Sequence, residues 1–162
     1  MIAQRPIDQL EPPVRPTGVA RFERFFRRAA GLDVDKQDLR RYSDFVNHKI
    51  YDLLACGQES ARTNGRDRIE PIDLPITKGL HQSIQAFVEI DEEIALQPFL
   101  DYLTARPPLD LPFSAETEQQ LACIAGGLSV ALARSFKILD PKLKNPASEH
   151  WERSMRLFDL LL

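Results

Sequence analysis

The apolar positions of this chain recur at helical spacing along most of its length, which predicts an all-α protein. The first apolar stripe occupies positions i, i+3, i+4 and i+7 of a short helix and consists of Phe22, Phe25, Phe26 and Ala29. Gly31 follows, and glycine commonly ends a helix because it adopts the left-handed conformation without steric cost. The proline-rich residues before this stripe predict an extended N-terminal tail over residues 1–20.

A much longer helical pattern comes next. Asp35 can cap its start, and the pair Asn64-Gly65 can end it. Residues 36–64 would form a rod of roughly 43 Å at 1.5 Å per residue. A rod of that length does not fit a compact bundle of this size unless another element crosses its middle.

The chain then changes direction through a tight basic loop at residues 64–68. Residues 68–70 predict a short extended segment, and Pro71 with Asp73 predicts the start of a third helix that continues through Val88. The acidic run that follows predicts a solvated hinge and comprises Glu89, Asp91, Glu92 and Glu93.

The order of short, long and short helices then repeats. Ser114 can cap a second long helix that ends at Asp140, and Ser148 can cap a final one. The mid-helix pair Gly126-Gly127 predicts a close helix crossing, because each glycine costs about 1 kcal/mol relative to alanine. On the final helix, Trp151 and Phe158 could pack against the second long helix or anchor a partner.

Residues 21–74 resemble an archaeal histone fold. The positions that match are Arg24, Ala29-Ala30, Val34, Asp52, Ala61-Arg62, Gly65-Arg66, Ile69 and Asp73. The tandem arrangement is similar to an uncharacterised bacterial family in which two histone folds are fused in one chain. This resemblance implies that residues 21–90 and 91–162 form an intramolecular handshake pseudodimer, one compact domain in which each half supplies the partner of the other in cis. A short linker makes that pairing favourable by raising the effective concentration.

The same resemblance implies roles for individual residues. Arg66 and Asp73 match the arginine–aspartate clamp that ties the second loop of a histone to its third helix. Contacts to DNA phosphates come from the first helix and from paired loops, which here implies Arg21, Arg24, Arg66, Arg68, Lys142 and Lys144. Handshake geometry would bring Arg66 and Arg68 towards residues 106–112, where Arg106 adds charge. It would also bring residues 142–146 towards residues 31–35, with Lys36 and Arg40 nearby.

The charge distribution does not suit a strong DNA packager. The net charge is -3, with 14 Lys+Arg against 12 Asp+Glu in residues 1–81 and 7 against 12 in residues 82–162. In addition, Asp33 and Asp67 occupy positions that are basic in the archaeal histones. We therefore expect weak, salt-sensitive and sequence-independent binding of double-stranded DNA through local patches. The alternative is an acidic histone-fold scaffold that binds other proteins and no DNA.

No sequence pattern indicates an enzyme, a cofactor or a metal site. His48, His81 and His150 fall on three predicted helices, and we expect none to have a metal-binding partner at i+4. Glycine-rich phosphate loops and the GxSxG motif are absent. Cys56 and Cys123 are predicted to be buried free thiols. No run of 18 uncharged apolar residues predicts a membrane span, so we expect a cytoplasmic protein, located at the nucleoid if it binds DNA.

Overall fold

A computed structural model describes residues 16–104 and 108–162 of the chain. In these residues it contains six α-helices and two 3₁₀ turns, which confirms the prediction of an all-α fold. Residues 1–15 and Arg106 lie outside the described residues. The helices are α1 (Pro16–Ala30), α2 (Leu39–Thr63), α3 (Lys78–Ile94), α4 (Gln97–Leu103), α5 (Ala115–Leu139) and α6 (Ser148–Leu161). We call α1–α3 the first half and α4–α6 the second half.

Helix α1 begins earlier than the apolar pattern predicts. Its first residue is Pro16, so residues 16–20 belong to the helix and not to the tail. Proline suits the first turn of a helix because the N–H that it lacks would have no partner there. The end is as predicted, since Gly31 has a φ of 66°. The three phenylalanines of the predicted stripe, Phe22, Phe25 and Phe26, are fully buried.

The start of the long helix α2 follows its sequence signals. The Asp35 side chain accepts a hydrogen bond from the backbone N–H of Gln37 at 2.8 Å, and Asp38 completes the capping box by accepting from the N–H of Asp35. A 3₁₀ turn at Lys36–Asp38 leads into the α-helix. Gly65, with a φ of 73°, follows its end.

The prediction that the third helix starts at Pro71 is wrong. Pro71–Asp73 form a single 3₁₀ turn, and α3 begins at Lys78 with Thr77 as its cap. Leu74 precedes Pro75, and the proline ring disfavours the helical conformation in the residue before it. Accordingly, Leu74 has an extended ψ of 132°.

The predicted acidic hinge at Glu89 to Glu93 is also wrong, because α3 continues through these residues to Ile94. The chain turns afterwards, at Ala95, which adopts the left-handed conformation with a φ of 56°. The carboxylate of Asp91 fixes this turn by accepting a hydrogen bond of 2.5 Å from the backbone N–H of Leu96.

In the second half, Ser114 caps α5 as predicted, with its hydroxyl accepting from the N–H of Thr117 at 3.1 Å. Helix α6 begins at Ser148, but Ser148 is not its cap. Its hydroxyl instead accepts a hydrogen bond of 2.7 Å from Arg41. The exposed N–H at the start of α6 belongs to Ala147 and donates to Nδ1 of His150 at 2.9 Å.

The glycine pair in the middle of α5 lies at a close crossing with α3, as the sequence predicts. A Cβ atom on Gly126 would stand 2.4 Å from the ring of Phe87, and one on Gly127 would stand 2.9 Å from the backbone N of Ile84. Only glycine allows the two helices to approach this closely. The third helix of the first half therefore packs directly on the long helix of the second half.

The final helix makes the reciprocal contact. Phe158 of α6 packs edge-on against Phe45 of α2, with ring centroids 5.0 Å apart. Trp151 packs against Phe136 of α5 and against Phe26 of α1, and it is only 1% exposed. Trp151 is thus a core residue and not a surface anchor. Together these contacts interlock the two halves around one core.

The long helix α5 is unusually apolar. Among the described residues, α5 is the one helix whose length and composition would suit a membrane crossing, and 67% of its most apolar stretch is buried inside the fold. Core helices of globular proteins share this composition.

Both cysteines are free, as predicted, but Cys56 is exposed and Cys123 is half-buried, so the prediction that both are buried is wrong.

Candidate nucleic-acid interface

Two pairs of loops meet at the junctions between the halves. One pair, which we call the Lys144 loop pair, consists of residues 31–36 and 140–146. The backbone N–H of Asp33 donates to the carbonyl oxygen of Lys144 at 2.7 Å, so the predicted approach of these two segments is confirmed. A direct backbone hydrogen bond fixes the distance between the side chains on either side of it.

The second of these segments has its own internal supports. The backbone N–H of Lys142 donates to the Asp140 side chain at 3.2 Å. The backbone N–H of Leu143 donates to the carbonyl oxygen of Asp140 at 3.0 Å. Lys137 of α5 donates to the carbonyl oxygen of Leu143 at 2.8 Å, and the Leu143 side chain is buried. With Leu143 anchored in the core, Lys142 and Lys144 are directed to the surface.

The exposed cations of the Lys144 loop pair are Lys36, Lys142 and Lys144. None of the three has a carboxylate within ion-pair distance among the described residues. The nearby Asp33 is partly neutralised by Arg27 at 3.5 Å. Residues 27–41 and 137–150 together hold 8 Lys+Arg against 5 Asp+Glu, a net charge of +3. This region therefore carries positive charge on a protein that is acidic as a whole.

The other pair, the Ile69 loop pair, consists of residues 64–70 and 108–114. Ile69 and Phe113 form a parallel β-bridge, in which Ile69 donates to Pro112 and Ser114 donates to Ile69, both at 2.9 Å. The predicted approach of these segments is also confirmed, although Arg106 lies outside the described residues. A third hydrogen bond comes from the Thr117 hydroxyl, which also donates to the carbonyl oxygen of Ile69, at 3.0 Å.

Basic side chains in and next to the Ile69 loop pair lie beside carboxylates. Arg62 contacts Asp110 at 3.0 Å, and Arg68 lies 3.4 Å from Glu70. Residues 59–73 and 104–118 together hold 4 Lys+Arg against 7 Asp+Glu, a net charge of -3. The two loop pairs therefore have similar backbone contacts, and the regions around them have opposite net charge.

Arg66 and Asp73 are in direct contact across the turn that leads from the loop towards α3. The Asp73 carboxylate is buried and also accepts from the Glu70 N–H at 2.8 Å and the Ser60 hydroxyl at 3.0 Å. Burial alone would raise the pKa of Asp73, but these hydrogen bonds and the guanidinium outweigh burial and hold the pKa below its ordinary value. Arg66 Nε is buried without a hydrogen-bond partner among the described residues. Arg66 is thus committed to the interior contact.

Arg21 and Arg24 lie apart from both loop pairs, at the carbonyl end of α3. Arg21 donates to the carbonyl oxygen of Ala95 at 3.2 Å and Arg24 to that of Glu93 at 3.5 Å, while Arg28 pairs with the Glu93 carboxylate at 2.5 Å. Cations are favourable at this end because the last carbonyl groups of a helix carry partial negative charge. The predicted DNA-contact residues are therefore distributed over three places.

A charged cluster that the sequence patterns do not predict joins α2 to α6. The buried ammonium group of Lys49 donates to Asp159 at 2.5 Å and to Asp52 at 3.2 Å, and His48 Nε2 lies 3.6 Å from Asp52. The hydrogen bond from Lys49 lowers the pKa of Asp159 below its ordinary value and outweighs the effect of burial. Asp52 stands four residues after His48, so one histidine has a carboxylate at i+4, and the expectation that it binds no metal there stays a prediction. Asp159 is too distant in sequence to be foreseen.

The histidine and two carboxylates of this cluster have potential ligand atoms within 4.8 Å of one another. The Lys49 ammonium already lies between the carboxylates and supplies the positive charge that a metal ion would bring. We therefore interpret this cluster as an ion-pair network that attaches α6 to α2.

Residues 22–159 match the family model described as a domain of unknown function, DUF1931. The chain belongs to the DUF1931 family. Two relatives of this DUF1931 chain come from Aquifex aeolicus (strain VF5), and both are described as uncharacterized proteins. One is 26% identical over 151 residues, which cover 93% of this chain and 88% of the relative. The other is 34% identical and covers 77% of this chain and 82% of the relative.

Two solved structures are similar to this DUF1931 chain over most of its length. A crystal structure of a protein from Thermus thermophilus has a TM-score of 0.79 and 55% sequence identity, and it covers 89% of this chain and 97% of its own. A crystal structure of a protein from Aquifex aeolicus, at 1.9 Å, has a TM-score of 0.80 and 26% sequence identity. The match covers 94% of this chain and 100% of the Aquifex chain. Neither description names an activity, so the function has to be argued from the geometry.

Proposed function

We propose that this DUF1931 chain is a fused pair of histone folds joined in an intramolecular handshake. Three observations support this proposal. The order of short, long and short helices occurs twice. The first loop of each half meets the second loop of the other, at Asp33–Lys144 and at Ile69–Phe113. The third helix of each half packs on the long helix of the other, and the buried hydroxyl groups of Tyr42 and Ser129 join the two long helices at 2.6 Å.

The function that this arrangement supports best is weak, sequence-independent binding of double-stranded DNA through the Lys144 loop pair. The observation that carries the proposal is the backbone hydrogen bond between Asp33 and Lys144, which brings three exposed lysines from two distant segments together. Lysine is a suitable ligand for phosphate, and phosphate contacts hold a protein on DNA without reading its sequence. No cofactor or catalytic residue is part of this proposal. The expected location is the cytoplasm, at the nucleoid when DNA is bound.

The other DNA-contact residues implied by the histone resemblance have a secondary role in this proposal. Arg66 is engaged in the ion pair with Asp73 and stabilises the loop, and Arg68 forms an ion pair with Glu70. Arg21 and Arg24 donate to the carbonyl groups at the end of α3 and could reach phosphate only with their remaining N–H groups. Binding should therefore depend most on Lys142 and Lys144.

Salt dependence gives this proposal a quantitative form. Each phosphate contact contributes about 0.9 to the slope of log affinity against log salt. Three lysine contacts predict that raising the salt concentration from about 20 mM to about 150 mM weakens binding about 200-fold. Fluorescence anisotropy with a labelled random duplex measures this slope directly.

A charge reversal in the loop pair provides the decisive comparison. Lys144→Glu should weaken binding at least about tenfold at low salt and reduce the salt slope by about 1, because one phosphate contact is lost. Lys78→Glu is the matched control, since Lys78 is an exposed lysine at the start of α3 and outside both loop pairs. Equal effects of the two substitutions, or no binding by the unmodified protein at about 20 mM salt, would contradict the proposal.

A protein-interaction scaffold without DNA binding is the second candidate. The engagement of three α1 arginines at α3 favours it, because these arginines already donate to carbonyl or carboxylate groups and have fewer N–H groups left for DNA phosphates. An absence of DNA binding at low salt, with the fold intact by circular dichroism, would leave this candidate in place.

A further inference from the structure

Arg41 joins the start of α2 to the start of α6, beside the Lys144 loop pair. Its guanidinium donates a hydrogen bond of 2.7 Å to the hydroxyl of Ser148, across 107 positions of the chain. Both residues are exposed. The contact therefore holds an arginine of the first half at the surface of the second half.

Arg41 differs from most described arginines of the first half in the group to which it donates. It donates to a neutral hydroxyl and forms no ion pair among the described residues. A hydroxyl does not compensate the charge, and a guanidinium has five N–H donors, so Arg41 keeps donors for another acceptor. The arginines that contact carboxylates or backbone carbonyl oxygens instead are Arg21, Arg24, Arg27, Arg28, Arg62, Arg66 and Arg68.

The carboxylates near Arg41 leave its charge unpaired. Asp38 accepts hydrogen bonds from a backbone N–H of its capping box and from Nε1 of Trp151 at 3.2 Å. Among the described carboxylates nearby, neither Asp44 nor Glu149 forms an ion pair with Arg41. Because Trp151 is buried in the core, its bond to Asp38 also fixes the first turn of α6 against the start of α2.

Arg41 lies close enough to the Lys144 loop pair to share a ligand with it. Ser148 follows Lys144 by four residues, so their Cα atoms are at most about 14 Å apart, at about 3.5 Å per extended residue. Each strand of a DNA duplex advances about 3.4 Å along the axis per phosphate. The span from Lys144 to the residue that holds Arg41 therefore corresponds to about four phosphates or fewer.

We propose that Arg41 is a further phosphate-contact residue of the Lys144 loop pair and that the Ser148 hydroxyl positions its guanidinium. This inference rests on the proposed function, to which it adds a fourth cation. A guanidinium fork can bind two phosphate oxygens at once, whereas an ammonium group acts as a point charge. Ser148 is a positioning residue, because a side chain that is already held loses less conformational freedom when it binds.

The salt slope of DNA binding tests the contact made by Arg41. Four phosphate contacts predict a slope of about 3.6 for the unmodified chain, and three predict about 2.7. Arg41→Gln should therefore reduce the slope by about 0.9 and weaken binding of a random duplex about tenfold at about 20 mM salt. A purely structural role of Arg41 would lower the thermal stability of the variant without changing the slope.

Arg156→Gln is the matched control. It removes the same charge from an exposed arginine of α6 that has no ion-pair partner among the described residues. Arg156 lies eight residues beyond Ser148, about 12 Å along the helix. This substitution should change neither the affinity nor the slope.

Substitution of Ser148 tests the positioning role. Ser148→Ala should weaken binding about threefold and leave the slope unchanged, because Arg41 keeps its charge but loses its support. Ser148→Thr keeps the hydroxyl and should bind as the unmodified chain does. Ser148 does not cap α6, so both variants should keep the helix, which circular dichroism checks.

The results separate this inference from the proposed function. An unchanged slope in Arg41→Gln, or equal effects of Arg41→Gln and Arg156→Gln, would overturn the contact while Lys144→Glu still tests the proposed function. Unchanged affinity in Ser148→Ala would overturn the positioning role. No binding by the unmodified chain at about 20 mM salt would overturn both the proposed function and this inference.

Discussion

The two halves of this protein share an order of helices but differ in the polar groups that support it. In the first half, Arg66 and the buried Asp73 fix the second loop, and Arg21 and Arg24 cover the end of α3. In the second half, Lys137, Asp140 and His150 hold the equivalent loop, and Lys49 pairs with Asp159 in the last turn of α6. Both halves thus bury apolar stripes, while the polar groups that support them differ.

This difference determines which charges remain at the surface. The first half uses most of its named arginines for internal contacts, whereas Lys142 and Lys144 in the second half have no ion-pair partner among the described residues. Residues 27–41 and 137–150, around the Lys144 loop pair, carry a net charge of +3, whereas residues 59–73 and 104–118, around the Ile69 loop pair, carry a net charge of -3. Of two regions with similar backbone contacts, one is therefore basic and the other acidic.

The largest loss of stability should come from removing the Arg66–Asp73 contact, which supports the second loop of the first half. Asp73→Ala removes the acceptor shared by Arg66, Ser60 and the Glu70 N–H, and it leaves those donors without a partner. We expect a loss of about 3 kcal/mol in the free energy of unfolding, near the lower limit for breaking a buried pair because Arg66 is partly exposed. Urea denaturation measures it.

The neighbouring Asp67 provides the control, since it is exposed, and Asp67→Ala should change stability by less than about 0.5 kcal/mol. The pH dependence gives a second check. The pKa of Asp73 is lower in the folded state, so its stabilisation is complete above its ordinary value of 3.8 and is lost as the pH falls through the folded value. This acid-dependent loss should be smaller in Asp73→Ala. A loss of less than about 1 kcal/mol at neutral pH would remove the distinction between the halves.

A smaller effect is expected from the corresponding support in the second half. His150→Ala removes the acceptor for the Ala147 N–H at the start of α6 and should cost about 1 kcal/mol, as the loss of a helix cap does. His81→Ala, at an exposed position on α3, should be neutral within about 0.5 kcal/mol. If His150→Ala proved as destabilising as Asp73→Ala, the second loop would be held as firmly as the first.

Local features of the fold can be predicted from the sequence because they depend on neighbouring residues. The Asp35 cap, the stop at Gly65 and the glycine crossing are of this kind. The start of α3 differs from its prediction because Pro71 can open a helix, whereas Pro75 prevents Leu74 from continuing one. The proline-rich start of α1 is ambiguous for a similar reason, since proline suits both an extended segment and a first helical turn.

The candidate site is less predictable, because its chemistry depends on residues that are distant in sequence. Arg21 meets the carbonyl of Ala95 across 74 positions, and Lys49 meets Asp159 across 110. No periodicity encodes such contacts. The approach of the two loop pairs can be foreseen only because the histone resemblance supplies a geometry. Which loop pair keeps its cations free depends on side-chain pairing, such as that of Arg62 with Asp110.

The interlocking of the two halves around one core implies that neither half can unfold separately. Native-state hydrogen exchange on the full chain tests this implication most directly, by comparing the slowest amides of α2 with those of α5. We expect both sets to exchange with the same free energy of opening and the same dependence on denaturant. Slow exchange retained in one long helix while the other opens at a lower free energy would show instead that the halves are independent.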